Sequence, residues 1–167
     1  MTGWVALLRA VNVGGVKVLM EDLRALAEGE GFAGARTYIA SGNLVLSSDL
    51  DEAAIRERLE GALERQYAKR VPVLVRSALE MADVAARNPF ADEPGNRVAA
   101  IFCDGSIEMN GIRGAEAGEE VEAGEREFFV HFPNGMGRSK LVIPAAKDGT
   151  ARNMNTVAKL AAMAAEA

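Results

Sequence analysis

The chain has 167 residues, 49 % of them hydrophobic and 26 % charged, with a net charge of −5. That length suits one large domain or two small ones with a packed core, and that balance excludes long disordered tails. No run approaches the roughly 20 apolar residues needed to cross a bilayer, and the acidic balance argues against non-specific nucleic-acid binding, which needs a basic footprint.

The apolar stretch Trp4–Leu8 stops at Arg9, with no basic segment before it and no small-residue cleavage site after it. It reads as a strand and not as a signal peptide, which points to a cytoplasmic protein. Trp4–Val11 is closed by Asn12 and the turn pair Gly14-Gly15. Leu23, Leu26 and Ala27 are spaced for a helix over Glu21–Glu30, with Glu21 and Asp22 favouring its start and Gly29 or Gly31 its end. Arg36–Ala40 is rich in strand formers. Ser41-Gly42-Asn43 reads as a turn, and Leu44–Ser48 returns as the second arm of a hairpin. Asp49 or Asp51 caps a helix carrying Ile55, Leu59, Ala62, Leu63 and Tyr67. Val71–Val75 is a strand, placed at a sheet edge by Pro72.

The order βαββαβ predicts an α+β fold with a ferredoxin-like α/β plait over residues 1–76. Residues 77–167 are expected to form a second, plait-like half packed on the first. There the pattern predicts a helix over Ser77–Arg87, broken at Asn88-Pro89-Phe90, and a strand over Arg97–Cys103. It then predicts a short helix over Ile107–Arg113, a strand over Glu127–Phe132 and a helix over Asn153–Ala165. Ser139–Ala146 is ambiguous between strand and helix.

Charge is uneven in this half. Ser77–Glu125 holds three basic residues (Arg87, Arg97, Arg113) and eleven acidic ones, whereas Arg126–Ala167 holds six basic and three acidic. The C-terminal part is therefore open to an anion.

Polar residues gather in three places. In a plait the third strand lies antiparallel to the first, which brings Arg9, Asn12, Gly14 and Gly15 to the same rim as Ser41, Gly42 and Asn43. Arginine, amides, a hydroxyl and glycine backbone are the parts of a site for a polar or anionic ligand, although Asn and Gly also serve tight turns. The second cluster is His131–Lys140, where a strand end and glycines precede Arg138 and Lys140. A helix starting near Ser139 would add free N–H groups there, but the spacing is not that of a P-loop. The third is Thr150–Thr156, where Thr150 or Asn153 caps the last helix and Arg152 and Asn155 exceed what one cap needs.

Cys103 lies in an apolar run and reads as a buried small hydrophobe, with a nucleophile as the alternative. His131, the lone histidine, is a structural strand-end residue or a general acid–base. One His and one Cys make a poor donor set for a metal site.

These residues stand in a recognisable order. Leu7–Gly15, Tyr38–Asn43, Asn88-Pro89-Phe90, Gly137–Leu141 and Arg152–Val157 resemble a bacterial family known only as a domain of unknown function, with LLRxxNVGG, SGN, GRSKL and RNxNT signatures. That family carries Gly where Ala10 stands and Trp where Met154 stands. The resemblance spans nearly the whole chain and implies a duplicated α/β-plait architecture. It implies no activity and no cofactor.

The sequence thus leads to a cytoplasmic protein that binds a polar or anionic small molecule in a cleft between its two halves. Arg9, Asn12, Ser41, Asn43, Arg138, Lys140, Arg152, Asn153 and Asn155 are the candidate lining. Chemistry there would rest on positioning and electrostatics, because no activated nucleophile is visible. The rival reading is a non-catalytic protein–protein interaction module. An RNA-binding plait is disfavoured because Val5–Val11 and Leu44–Ser48 carry no aromatic side chain for stacking.

Overall fold

The computed structural model describes residues 1–12 and 15–167. Gly14 of the expected first turn lies outside the described residues. The chain divides into two units, Met1–Ala82 with Lys159–Ala167, and Asp83–Ala158.

The first unit holds β1 (Thr2–Leu8), α1 (Met20–Gly29), β2 (Ala33–Thr37), β3 (Asn43–Ser48), α2 (Glu52–Tyr67) and β4 (Val73–Ser77). The sheet order is β2-β3-β1-β4, which is the plait order. β3 runs antiparallel to β1, with Trp4 opposite Leu46 and Leu7 opposite Asn43. β4 is an edge strand, as Pro72 predicts. Asp51, not Asp49, caps α2, its carboxylate accepting the Ala54 N–H at 2.9 Å.

Both helices cover one face. Leu23 and Ala27 of α1 and Ile55, Leu59 and Leu63 of α2 pack with Ala6, Leu8, Leu44, Leu46, Val73 and Val75. These strand residues alternate along each strand and so share a face. β1 begins two residues before the expected Trp4 and ends at Leu8 rather than Val11, and Trp4 packs against this core rather than serving as a stacking platform.

The opposite face of the first sheet meets the end of α4 (Met154–Ala165). The Arg36 guanidinium donates to the Met163 carbonyl at 2.7 Å, satisfying one of the acceptors a helix end leaves open. Gly3 approaches the same turn so closely that a Cβ there would collide with the Ala164 carbonyl oxygen.

In the second unit, entered within α3 (Ala78–Ala86), the strands are β5 (Val98–Phe102), β6 (Glu120–Ala123), β7 (Glu127–His131) and β8 (Thr150–Asn153). Their order, β6-β7-β5-β8, repeats that of the first sheet, and all three pairings are antiparallel. The two crossover helices of a plait are missing among the described residues. Irregular chain and one 3-10 turn, Pro144–Ala146, stand in their place.

The helix expected over Ile107–Arg113 is therefore not formed. Gly111 (φ 74°) and Gly114 (φ 79°) take left-handed backbone that a helix cannot continue. Arg113 instead exchanges two backbone hydrogen bonds with Val142, at 3.1 and 2.8 Å. No helix starts at Ser139 either. Its hydroxyl accepts the Leu141 N–H at 3.2 Å and donates to Glu119 at 2.9 Å. The two connections do the work of helices, laying Ile107, Ile112, Met136 and Leu141 over Ala99, Phe128 and Val130. Cys103 is buried in this cluster, one residue beyond the central strand β5.

Replacing Gly3 with Ala should loosen the end of α4. Amide hydrogen exchange over residues 159–165 should quicken markedly in the variant, while α1 and α2 keep their protection. Unchanged exchange over that turn would show that the helix end shifts without cost.

Candidate functional site

The rim at the end of β1 is built by two loops that brace each other. The Leu8 N–H donates to Gly42 O at 2.8 Å and the Arg9 N–H to Pro72 O at 2.9 Å. Arg9, half-buried, therefore stands between the 38–42 loop and the start of β4.

Asn12 is the clasp. Its backbone N–H donates to Val16 O at 2.9 Å. Its amide nitrogen donates to Val18 O at 2.9 Å and Ala40 O at 2.7 Å, and its amide oxygen accepts the Val18 N–H at 2.8 Å. Asn43 braces the other loop from within. It is 0 % exposed, and its amide donates to Tyr38 O at 2.9 Å and Ser41 Oγ at 2.8 Å.

The same two loops hold three non-glycine residues in left-handed backbone: Ala10 (φ 57°), Asn12 (φ 61°) and Ile39 (φ 51°). Asn tolerates that region. For Ala it costs roughly 1–2 kcal/mol, and a β-branched residue there is an outlier. Gly42 (φ 88°) has no such freedom to lose, since a Cβ would lie 2.8 Å from Val11 Cγ2 and 2.9 Å from Leu8 Cβ. The topology thus brings Arg9, Asn12, Ser41 and Asn43 to one rim, as the strand order requires. Ser41 is exposed there.

In the second unit Arg152, Asn153 and Asn155 follow one another where β8 passes into α4. Asn153, not Thr150, is the cap, its side-chain oxygen accepting the Thr156 N–H at 2.9 Å. Asn155 Oδ1 fills the space where Gly95 would carry a Cβ. Arg152 is buried, donates Nη1 to Thr150 Oγ1 at 2.7 Å and Ala151 O at 2.9 Å, and has its pKa lowered to about 10 by desolvation. Arg138 and Lys140 are exposed on the connection before β8, separated by Ser139 with its Glu119 contact. His131 is buried with Nε2 3.5 Å from Glu93, and its ring centroid lies 5.8 Å from that of Phe90.

Two buried charges escaped the sequence reading. Arg76 of β4 is 1 % exposed. It stands opposite Val5 as Arg152 stands opposite Ala100, and it donates Nη1 to the preceding carbonyl, Val75 O, at 2.9 Å. The residue after each arginine caps a helix. Ser77 Oγ accepts the Glu80 N–H at 3.1 Å, while Glu80 reaches back to the Ser77 N–H at 3.3 Å. The repeated signal, strand–Arg–cap–helix, was present in the sequence as Arg76-Ser77 and Arg152-Asn153.

The second missed group is Glu127, 2 % exposed and bonded to Arg87 at 3.2 and 3.4 Å. It also accepts the N–H groups of Glu125 at 2.6 Å and Arg126 at 3.2 Å. Burial works against the Arg87 charge, but hydrogen bonds to Asp83 and Glu127 outweigh it and hold its pKa above the ordinary arginine value. No group of His, Cys, Asp and Glu among the described residues is arranged to hold a metal ion, and no described helix is long and apolar enough to cross a membrane.

Residues 1–129, which carry the braced rim and most of the second sheet, match a family described as "Protein of unknown function (DUF1697)". The chain belongs to that family. Among solved structures it is similar to the conserved bacterial protein SP0830 from Streptococcus pneumoniae, at 21 % identity and a TM-score of 0.76, with 99 % of each chain covered. At that identity the likeness carries the fold of this DUF1697 protein and nothing further. No curated protein matches the chain. Ala10 takes a positive φ of 57°, a conformation that glycine adopts without strain.

Asn43→Ala should destabilise the protein by about 1–3 kcal/mol, because it strips the Tyr38 carbonyl of its side-chain donor. Urea unfolding monitored by Trp4 fluorescence measures it. Glu127→Ala should cost about 3–5 kcal/mol at most, since it leaves two loop N–H groups and part of the Arg87 charge without their acceptor; Arg87 is partly exposed, so water lowers that figure. A loss below 1 kcal/mol in the same assay would make the pair ornamental.

Proposed function

We propose that this protein is a cytoplasmic binder of a small polar or anionic molecule, with Arg9 and Ser41 as ligand contacts and Asn12 and Asn43 as their braces. The observation that carries the reading is the strain at the rim. Ala10 and Ile39 in left-handed backbone persist only where the surroundings over-determine them, and such residues concentrate at functional sites. Arg9 adds a guanidinium suited to bidentate contact with phosphate or carboxylate.

The second unit carries a polar group of its own, with Arg138, Lys140 and Arg152 as its cations and Asn153 and Asn155 as its amides. Arg138 and Lys140 are open to solvent, which favours them as first contacts for an anion. Arg152 is buried at a desolvation cost, which favours a role beyond packing.

The second reading, a protein–protein interaction module, is favoured by Leu79 of α3, which is 83 % exposed. Concentration-dependent sedimentation that Leu79→Ser abolishes would support it.

The test of the first reading is a thermal-shift screen of phosphates and carboxylates on the purified chain. A ligand at about one hundred times its Kd stabilises the folded state by about 2.7 kcal/mol. Arg9→Ala should fold with the wild-type circular dichroism and lose that stabilisation. An equal response in both proteins would remove Arg9 from the site.

A further inference from the structure

We draw no further inference here: the strongest candidate, the side-chain cluster of His131 at the end of β7 with Glu93 and Phe90 of the segment before β5, carries nothing, because these contacts lie within the second unit and nothing in the structure points to a ligand, a partner or a conformational change there.

Discussion

Burial of both faces of the central strands is the constraint on which the rest depends. Val5, Ala6, Leu7 and Leu8 of β1 are at most 1 % exposed, and Val98, Ala99 and Ala100 of β5 are 0 % exposed. A strand covered on both sides excludes polar side chains along its length. It must therefore place them where it leaves the sheet. Arg9 stands one residue past β1, and Asn43 stands at the first residue of β3, where its amide still reaches loop carbonyls. The rim is polar because the strand is not.

The two units meet this constraint with different parts. In the first, α1 and α2 cover one face, and the end of α4 covers the other. In the second, the helices between strands are gone, and two long connections with scattered aliphatic residues take their place. That substitution works because the connections pair with each other at Arg113 and Val142 and so satisfy their own backbone groups while lying on an apolar sheet. What both units keep is the final strand, its buried arginine, its cap and the helix after it. Arg76 and Arg152 even share the donation to the preceding carbonyl, at 2.9 Å in each.

This division explains what could be read from the residues alone. The first unit was legible because its periods are clean. Ile55, Leu59 and Leu63 recur at four, the strand residues alternate, and Pro72 marks an edge. The antiparallel β1–β3 pairing then followed from topology, and with it the meeting of Arg9 and Asn12 with Ser41 and Asn43. β6 and β8 were missed because Glu-Val-Glu-Ala and Thr-Ala-Arg-Asn have little apolar content. They are edge strands, and their pairing is set by β7 and β5 rather than by their own propensity. The helix expected over Ile107–Arg113 failed for a related reason. Glycines at 105, 111 and 114 look like helix boundaries in the sequence, but Gly111 and Gly114 belong to left-handed turns. The conformation of Ile39 was beyond reach, because nothing in Thr-Tyr-Ile-Ala announces a positive φ.

The amides and the cations at the rim have separate duties. Asn12 satisfies its donors and its acceptor within the protein, and the amide of buried Asn43 serves Tyr38 and Ser41. Polar residues drawn from a motif are often taken together as ligand contacts, yet here the amides act through the loops they hold. A loop held at two points does not relax when a residue in it is strained, so Ala10 and Ile39 stay where glycine would be more comfortable. Bracing of this kind is of little use to a turn that merely connects two strands, since a two-residue turn with Asn-Gly would do that with no strain. It does serve a surface whose shape must be kept. The rim is set apart less by its charge than by the two loops that Asn12 and Asn43 hold in place around it.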